Sequence, residues 1–563
     1  MFYNKIKAFG LVSFFSPVFL GACGGDNKPK MTSIPPTIEI ESGIEVLFEE
    51  NLRIPMRDGT SLSANVFRPT KDGPYPVLMA MTPYNKDDLP VEYEAIQGNI
   101  QVSDYASFET LDPGYWVPQG YAVVTIDTRG SNLSEGNLSL LSQQEAQDYY
   151  DAIEWFSKRP WSNGKVGLAG VSYMALNQWQ VASLAPPSLA AIMPWEGFTD
   201  VYRDLAYHGG IPNRAFLDGW WQFRILDNKN QSSNDPALPE RVRENPLLNE
   251  FYQNLGAQNL SSVRIPAYIT ASWPDHGLHT RGTLLGYEGI SSEHKWLEIH
   301  GRKKWEWFYS LASQARQQQF FDYFLKGSNN GMLEVPRVQY ELRSAYYEGE
   351  TKTSDTWPLE NTLEQQLYLD FNSLELQQAP VNTASEDFYY ITGDENFQGD
   401  KQSVKLKYTF NHDTEITGSM SLNLWISIQG NTDTDLFIGI QKENENNEQI
   451  HIYGNDIEKG QVANGWLRAS HRELDTELSL PTRPWHKHQK QLAIDENEVI
   501  PVNIEIHPSS TLFRAGEQLV IIIQGSDIEE SGIYHDSIKG GRVTLYSDPD
   551  HPSQLVYNSV IPN

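Results

Sequence analysis

Short apolar runs closed by turn residues punctuate the first 350 positions of the chain, at residues 77–81, 122–126, 165–169, 190–193, 267–270 and 296–299. Continuous rather than alternating hydrophobicity marks strands buried on both faces, as in parallel sheets. Between the second and third runs, Ala146, Tyr150, Ile153 and Phe156 recur at helical spacing over residues 145–158. Strand, helix, strand in this order predicts an α/β fold with a doubly wound sheet, built from residues 46–200 and 264–350. Residues 201–263 break the rhythm. They are rich in Trp, Arg, Asn and Pro, lack good strands and exceed the length of an ordinary connection, which predicts a mostly helical cap inserted over the sheet. From residue 357 to 563 the pattern changes to many short strands, among them 420–426, 436–440, 502–506 and 518–523, and few helical stretches. That pattern predicts an antiparallel β-sandwich domain.

At 563 residues the chain is too long for one compact core, in keeping with this division. A net charge of −30, from 43 basic against 73 acidic side chains, is the wrong field for phosphate binding and excludes nucleic acid as a partner. The single cysteine, Cys23, changes the picture more. Lys5 and Lys7 precede an apolar run at residues 9–15, and Leu20, Gly21 and Ala22 lead into Cys23. A charged region, an apolar region and a small-residue cleavage site make residues 1–22 a signal peptide, and the last four residues resemble a bacterial lipobox. Cys23 is then the lipidation site, and the polar, proline-bearing residues 23–45 are a tether. Gly24 and Gly25 follow the cysteine where an inner-membrane retention aspartate would stand, so an outer-membrane anchor, periplasmic or surface, is expected. Elsewhere no apolar run approaches the ~20 residues that span a bilayer, so contact with a membrane is expected only through the lipid.

The candidate chemistry lies at Gly170-Val171-Ser172-Tyr173-Met174-Ala175, between an apolar strand and the opening of a helix. A serine on such a turn is presented at the end of a sheet, and the amide after it is free to bind an oxyanion. In an α/β hydrolase an acid and a base follow the serine in that order, each at the carboxyl end of a strand. Asp275 follows the run at 267–270, and His300 closes the run at 296–299. The expected triad is therefore Ser172, Asp275 and His300, with the Tyr173 amide as one oxyanion donor. Three other histidines lie near. His294 precedes its strand, at the wrong end of the sheet, whereas His276 and His279 fall on the Asp275 loop, with pocket lining as their alternative role; whether His300 or a neighbouring histidine is the base is left open.

The ordered motifs resemble those of the X-prolyl dipeptidyl-peptidase-like serine hydrolases, and most of all their cocaine-esterase-type branch. They include residues 54–60, Thr82-Pro83-Tyr84-Asn85-Lys86, Asp127-Thr128-Arg129-Gly130-Ser131, residues 160–167, the serine turn, residues 432–436 and 467–472, and His551-Pro552-Ser553. The resemblance implies that the distal domain is a jelly roll, that Tyr84 gives its hydroxyl to the oxyanion beside the Tyr173 amide, and that the region after residue 200 is the helical cap. Two places depart from the family pattern. Ala175 stands where a glycine is usual. The Gly-Pro-Trp-x-His segment that the family usually carries before its base is replaced by Glu298-Ile299-His300-Gly301-Arg302-Lys303-Lys304-Trp305.

The expected activity is hydrolysis of esters or amides of small acyl groups through an acyl-enzyme. Release of X-Pro dipeptides and hydrolysis of α-amino-acid esters are the alternatives, with Asp204 or Glu196 as candidate anchors for a substrate ammonium. A surface-binding lipoprotein that has lost catalysis is the alternative from another class. No metal-ligand spacing, phosphate loop or dinucleotide glycine pattern is present, so no cofactor and no metal are expected. The partner is then a small ester, amide or short peptide; oligomeric state is left open.

Overall fold

The computed structural model describes residues 35–40, 43–88, 100, 102–234, 237–257, 259–382, 388–391, 403–454, 457–528 and 535–561. The leader and Cys23 lie outside the described residues.

The catalytic sheet opens with β1 (Thr37–Ile40), β2 (Ile44–Pro55) and β3 (Ser61–Pro69), followed by β4 (Tyr75–Thr82), β5 (Ala122–Asp127), β6 (Ser162–Val171) and β7 (Leu189–Trp195). β1, β2 and β3 pair antiparallel in turn, and β3 lies antiparallel to β5. From β5 onward the sheet is parallel, in the order β5, β4, β6, β7, then the strands Ala267–Ser272, Lys295–His300 and Val338–Ala345. Each of the six apolar runs lies within one of these parallel strands. The sheet starts earlier than the tether reading allowed. Ile38 pairs with Val46 and Ile40 with Ile44, so residues 37–40 join the edge of the sheet, and their isoleucines pack on the core.

The order β5-β4-β6-β7 has a physical consequence. The connection after β4 leaves toward one edge of the sheet and the connection after β6 toward the other. Their carboxyl ends therefore diverge and open a crevice, the usual place for a ligand in an open α/β sheet. Tyr84 follows β4, and Ser172 follows β6.

The described residues between 201 and 263 fold as short helical segments, among them Val201–Ala206, Arg214–Trp220, Trp221–Ile225 and Leu238–Glu244. Leu205, Phe216, Trp220 and Phe223 from these segments wall the cavity above Ser172. A small hairpin, Tyr207–His208 with Ile211–Pro212, interrupts them.

The distal domain is built from two antiparallel ladders. One runs Thr362–Asp370, Gln554–Val560, Thr414–Gln429, Ile500–Phe513; the other runs Val404–Thr409, Gln518–Gln524, Asp435–Glu443, Ala463–Arg468. Inward residues such as Leu422, Ile438, Ile504 and Ile521 share one core. The domain is fastened to the catalytic sheet by Arg343, which is 2% exposed. Its guanidinium donates to Ser509 Oγ at 2.8 Å and to the carbonyls of Val462 and Ser510, and its backbone bridges Thr511 in parallel.

Candidate active site

Ser172 stands at the junction of β6 and the helix Tyr173–Ser183, with φ +58° and ψ −114°. A non-glycine residue in this region is strained by ~1–3 kcal/mol and persists only where the surroundings hold it. The surroundings are specific: the Ser172 amide donates to Trp195 O on β7 at 3.0 Å, and the Val171 amide donates to Glu109 O at 3.0 Å. Gly170, at φ +155°, lets the chain turn, because a Cβ there would stand 2.5 Å from that of Met174. The methyl of Ala175 fits since its neighbour is Gly197, where an added Cβ would approach it to 2.9 Å. Tyr173, first residue of the helix, has an amide with no intrahelical acceptor. Its phenol donates to buried Glu145 at 2.6 Å.

The imidazole beside the serine belongs to His279. Ser172 Oγ lies 3.1 Å from His279 Nε2, and His279 Nδ1 lies 2.5 Å from Asp275 Oδ2. Asp275 and His279 share one loop, between the strand Ala267–Ser272 and the helix Thr280–Gly289. The Asp275 carbonyl accepts from the amides of Leu278, His279 and Thr280, and the Thr280 hydroxyl donates to Ser272 O at 2.8 Å. This tight turn folds the imidazole back over the carboxylate. Lys304 Nζ completes the cluster, 2.5 Å from the same Asp275 oxygen and 3.2 Å from His279 Nδ1. Burial pushes the Asp275 carboxyl up, but His279 and Lys304 more than offset it and hold it well below the usual carboxylate range. An alcohol, an imidazole and an ionised carboxylate in series form a proton-transfer chain.

The structure thus brings Ser172, Asp275 and the Tyr173 amide together as expected and corrects the position of His300. His300 is the last residue of its strand, in register with Ser272, so the pleat fixes the direction of its side chain. Its Nδ1 accepts from the Arg302 amide at 3.2 Å, and its Nε2 lies 3.1 Å from Glu196 Oε1. Glu196 Oε2 in turn accepts from Ser272 Oγ at 2.5 Å. His300 is spent on this buried cluster. The loop beyond it delivers Lys304 to Asp275. Residue spacing held the signal for His279: Asp275 and His279 are four apart, just before a helix. Of the other Asp275-loop histidine, the structure makes an anchor rather than a pocket wall, since His276 Nε2 bonds to Pro508 O of the distal domain.

Tyr84, 6% exposed, lines the same cavity as Ser172, and its Oη accepts from Trp220 Nε1 of the cap at 2.9 Å. The cavity, about 490 Å³, is walled largely by aromatic rings, among them Phe108, Phe198, Phe216, Trp220 and Trp305. Neither Asp204 nor Glu196 lines it: Asp204 is paired with Arg281, and Glu196 faces His300. The carboxyl that does line it beside Asp275 is Glu109, which the sequence reading missed. Glu109 sits at φ +60° and takes the indole N–H of Trp305 at 3.0 Å. Burial pushes it up to about 8, against the opposing pull of Lys304.

Comparison with known proteins agrees with this architecture. Residues 58–245 match the model of the X-Pro dipeptidyl-peptidase (S15) family, and residues 330–556 match that of the X-Pro dipeptidyl-peptidase C-terminal non-catalytic domain. The crystal structure of a CocE/NonD family hydrolase from Staphylococcus aureus is 39% identical in sequence; the match covers 95% of this chain and 99% of that one, with a TM-score of 0.88. The cocaine esterase of Rhodococcus sp. (strain MB1 Bresler) is 24% identical over 90% of this chain and 97% of its own. A putative Xaa-Pro dipeptidyl-peptidase of Bacillus anthracis is 23% identical over 87% and 84%. With a strained serine at the switch point of its sheet and a β domain behind it, this chain belongs to the S15, or CocE/NonD, family of serine hydrolases.

Proposed function

We propose that the protein hydrolyses esters of small, largely apolar acids through an acyl-enzyme on Ser172, with His279 as the base and Asp275 as its orienting acid. The observation that carries this reading is the 3.1 Å approach of Ser172 Oγ to His279 Nε2 inside an aromatic-walled cavity. Ser172 Oγ attacks the acyl carbon while its proton passes to His279 Nε2. Asp275, kept ionised, holds the proton on Nδ1 and stabilises the imidazolium. The oxyanion is met by the Tyr173 amide and the Tyr84 hydroxyl. Collapse breaks the bond to the leaving alcohol, which takes the proton from His279; water then repeats the sequence to free the acid.

Amide and X-Pro peptide cleavage use the same chain of groups, but dipeptide release needs an anion to hold the substrate's ammonium. Glu109 is the carboxyl in position, and burial leaves it largely neutral below about pH 8, which favours ester substrates. The same reading includes a jelly roll for the distal domain, supported by its two antiparallel ladders, and export with an outer-membrane lipid on Cys23, supported by the leader sequence alone.

Labelling with a fluorophosphonate tests the assignment. The wild type is expected to label, Ser172→Ala and His279→Ala to lose the label, and His300→Asn to keep it. Loss of labelling in His300→Asn with retention in His279→Ala would sink the base assignment, and an unlabelled wild type would favour a binding protein. Faster turnover of Gly-Pro-p-nitroanilide than of p-nitrophenyl acyl esters would reverse the substrate ranking.

A further inference from the structure

We propose that Trp220 of the cap is a positioning residue for the oxyanion donor Tyr84, so that cap and catalytic centre act as one unit; this rests on the reading of Tyr84 given above. A phenol oxygen has one hydrogen to give and lone pairs to fill. The indole N–H of Trp220 donates to Tyr84 Oη at 2.9 Å, so the phenol hydrogen is turned away from the indole and is left for another acceptor. Trp220, Tyr84 and Ser172 line one cavity, in which the acceptor that appears during reaction is the oxyanion.

The rings are held as firmly as the hydrogen bond. Trp220 stacks on Tyr173 with centroids 6.2 Å apart at 23°, and Tyr173 meets Tyr84 edge-on at 6.0 Å. Phe108 packs edge-on against the other side of Tyr84 at 5.3 Å. Tyr173 is itself fixed by Glu145, whose Oε2 also accepts from the Leu141 amide at 2.7 Å. The two oxyanion donors therefore share a single aromatic stack, which the cap enters through Trp220, itself met edge-on by Trp221 at 6.4 Å. A donated hydrogen bond also makes the phenol a better donor, since it offsets part of the burial that raises the Tyr84 hydroxyl.

Trp220→Phe keeps the stacked ring and removes only the N–H. With p-nitrophenyl butyrate as substrate it is expected to lower kcat about ten-fold and to move KM less than about three-fold; a whole oxyanion donor is worth roughly 10²–10³ in kcat. Trp220→His places a ring nitrogen where the indole nitrogen was, when the five-membered rings are overlaid, and is expected to recover most of the loss. Should Trp220→Phe fail to fold, as judged by circular dichroism, Trp220→His against wild type carries the comparison alone. In a Tyr84→Phe background, Trp220→Phe is expected to cost nothing further. An unchanged kcat, a loss confined to KM, no recovery in Trp220→His, or an equal loss in the Tyr84→Phe background would each overturn the proposal. Tyr84→Phe with undiminished kcat is the separate result that removes the oxyanion role of Tyr84 itself.

Discussion

Two nitrogen donors share one carboxylate oxygen at the centre of this site. Asp275 Oδ2 receives the His279 ring N–H and the Lys304 ammonium, each at 2.5 Å, and the carboxylate is almost fully buried. Lys304 locks the carboxylate plane and thereby the imidazole it orients. Lys304→Met should lower kcat roughly ten- to hundred-fold with little change in KM, because an error of about 1 Å in a positioned group costs on that order. Steady-state kinetics on p-nitrophenyl esters checks this, and a kcat equal to wild type would show that His279 alone suffices to hold Asp275. Ser172 and Asp275 were legible in the sequence because each follows an apolar run that had to be a buried strand. The imidazole beside the serine was not, because chain order points to the strand after the Asp275 loop, and His300 does close that strand. What order cannot show is direction: His300 is still within the pleat, whereas His279 lies on a turn that folds it over its acid.

The loop from Ser272 to Thr280 works because the helix behind it is nailed down. Arg281, 4% exposed, pairs through Nη1 with Asp204 of the cap at 3.0 Å and through Nε with Glu505 of the distal domain at 3.1 Å. One guanidinium thus joins the His279 helix, the cap and the β domain, with its face over Trp485 at 4.9 Å. Arg281→Leu leaves two buried carboxylates without their cation and should cost about 3–5 kcal/mol of stability. Urea unfolding reads the loss. Adding Asp204→Asn and Glu505→Gln should return part of it, since neutral groups need no counter-charge. A variant as stable as wild type would refute the pinning role. At this scale the parallel strands were readable, being continuous apolar runs, and so were the alternating distal strands: Ile500, Val502, Ile504 and Ile506 are buried in step. The cap was readable only as an interruption, since helical segments of four to seven residues carry too few turns to show a period. β1 was hidden by its neighbours: Pro35 and Pro36 made its first residues look like tether, although Ile38 and Ile40 pair with the next strand.

Across the whole molecule the seam between the catalytic and distal domains is lined with buried histidines. His208 Nδ1 meets His535 Nε2 at 2.7 Å, His471 meets His488 at 3.0 Å, and His507 Nδ1 bonds to His276 O at 2.9 Å. Burial pushes His276 down to about 3 and His471, His486 and His507 down to about 4; it also holds His208 and His488 well below 6.5. The sign follows from proton counting. Unfolded, each imidazole takes a proton near its ordinary 6.5; folded, it stays neutral until well below that. Between about pH 6.5 and 4 the unfolded chain therefore binds more protons, and stability falls as the pH falls, by roughly 1.4 kcal/mol per histidine per pH unit. Carboxyls that burial pushes up act in the opposite sense. Burial pushes Glu109 up to about 8, Glu145 to about 7 and Asp127 and Asp204 to about 6, so their protonation favours the folded state as the pH drops. Six imidazoles outweigh these carboxyls below pH 6, while between about pH 6.5 and 8 Glu145 and Glu109 lose their protons in the folded state and weaken the fold. The urea midpoint should accordingly be greatest between about pH 6 and 7 and decline on both sides. His488→Asn, which removes one titrating ring from the seam, should flatten the acid limb by about one proton's worth of slope. A midpoint that holds steady from pH 7 to 4.5 would mean that the seam opens to protons before the rest of the fold does, and that the two domains part without unfolding.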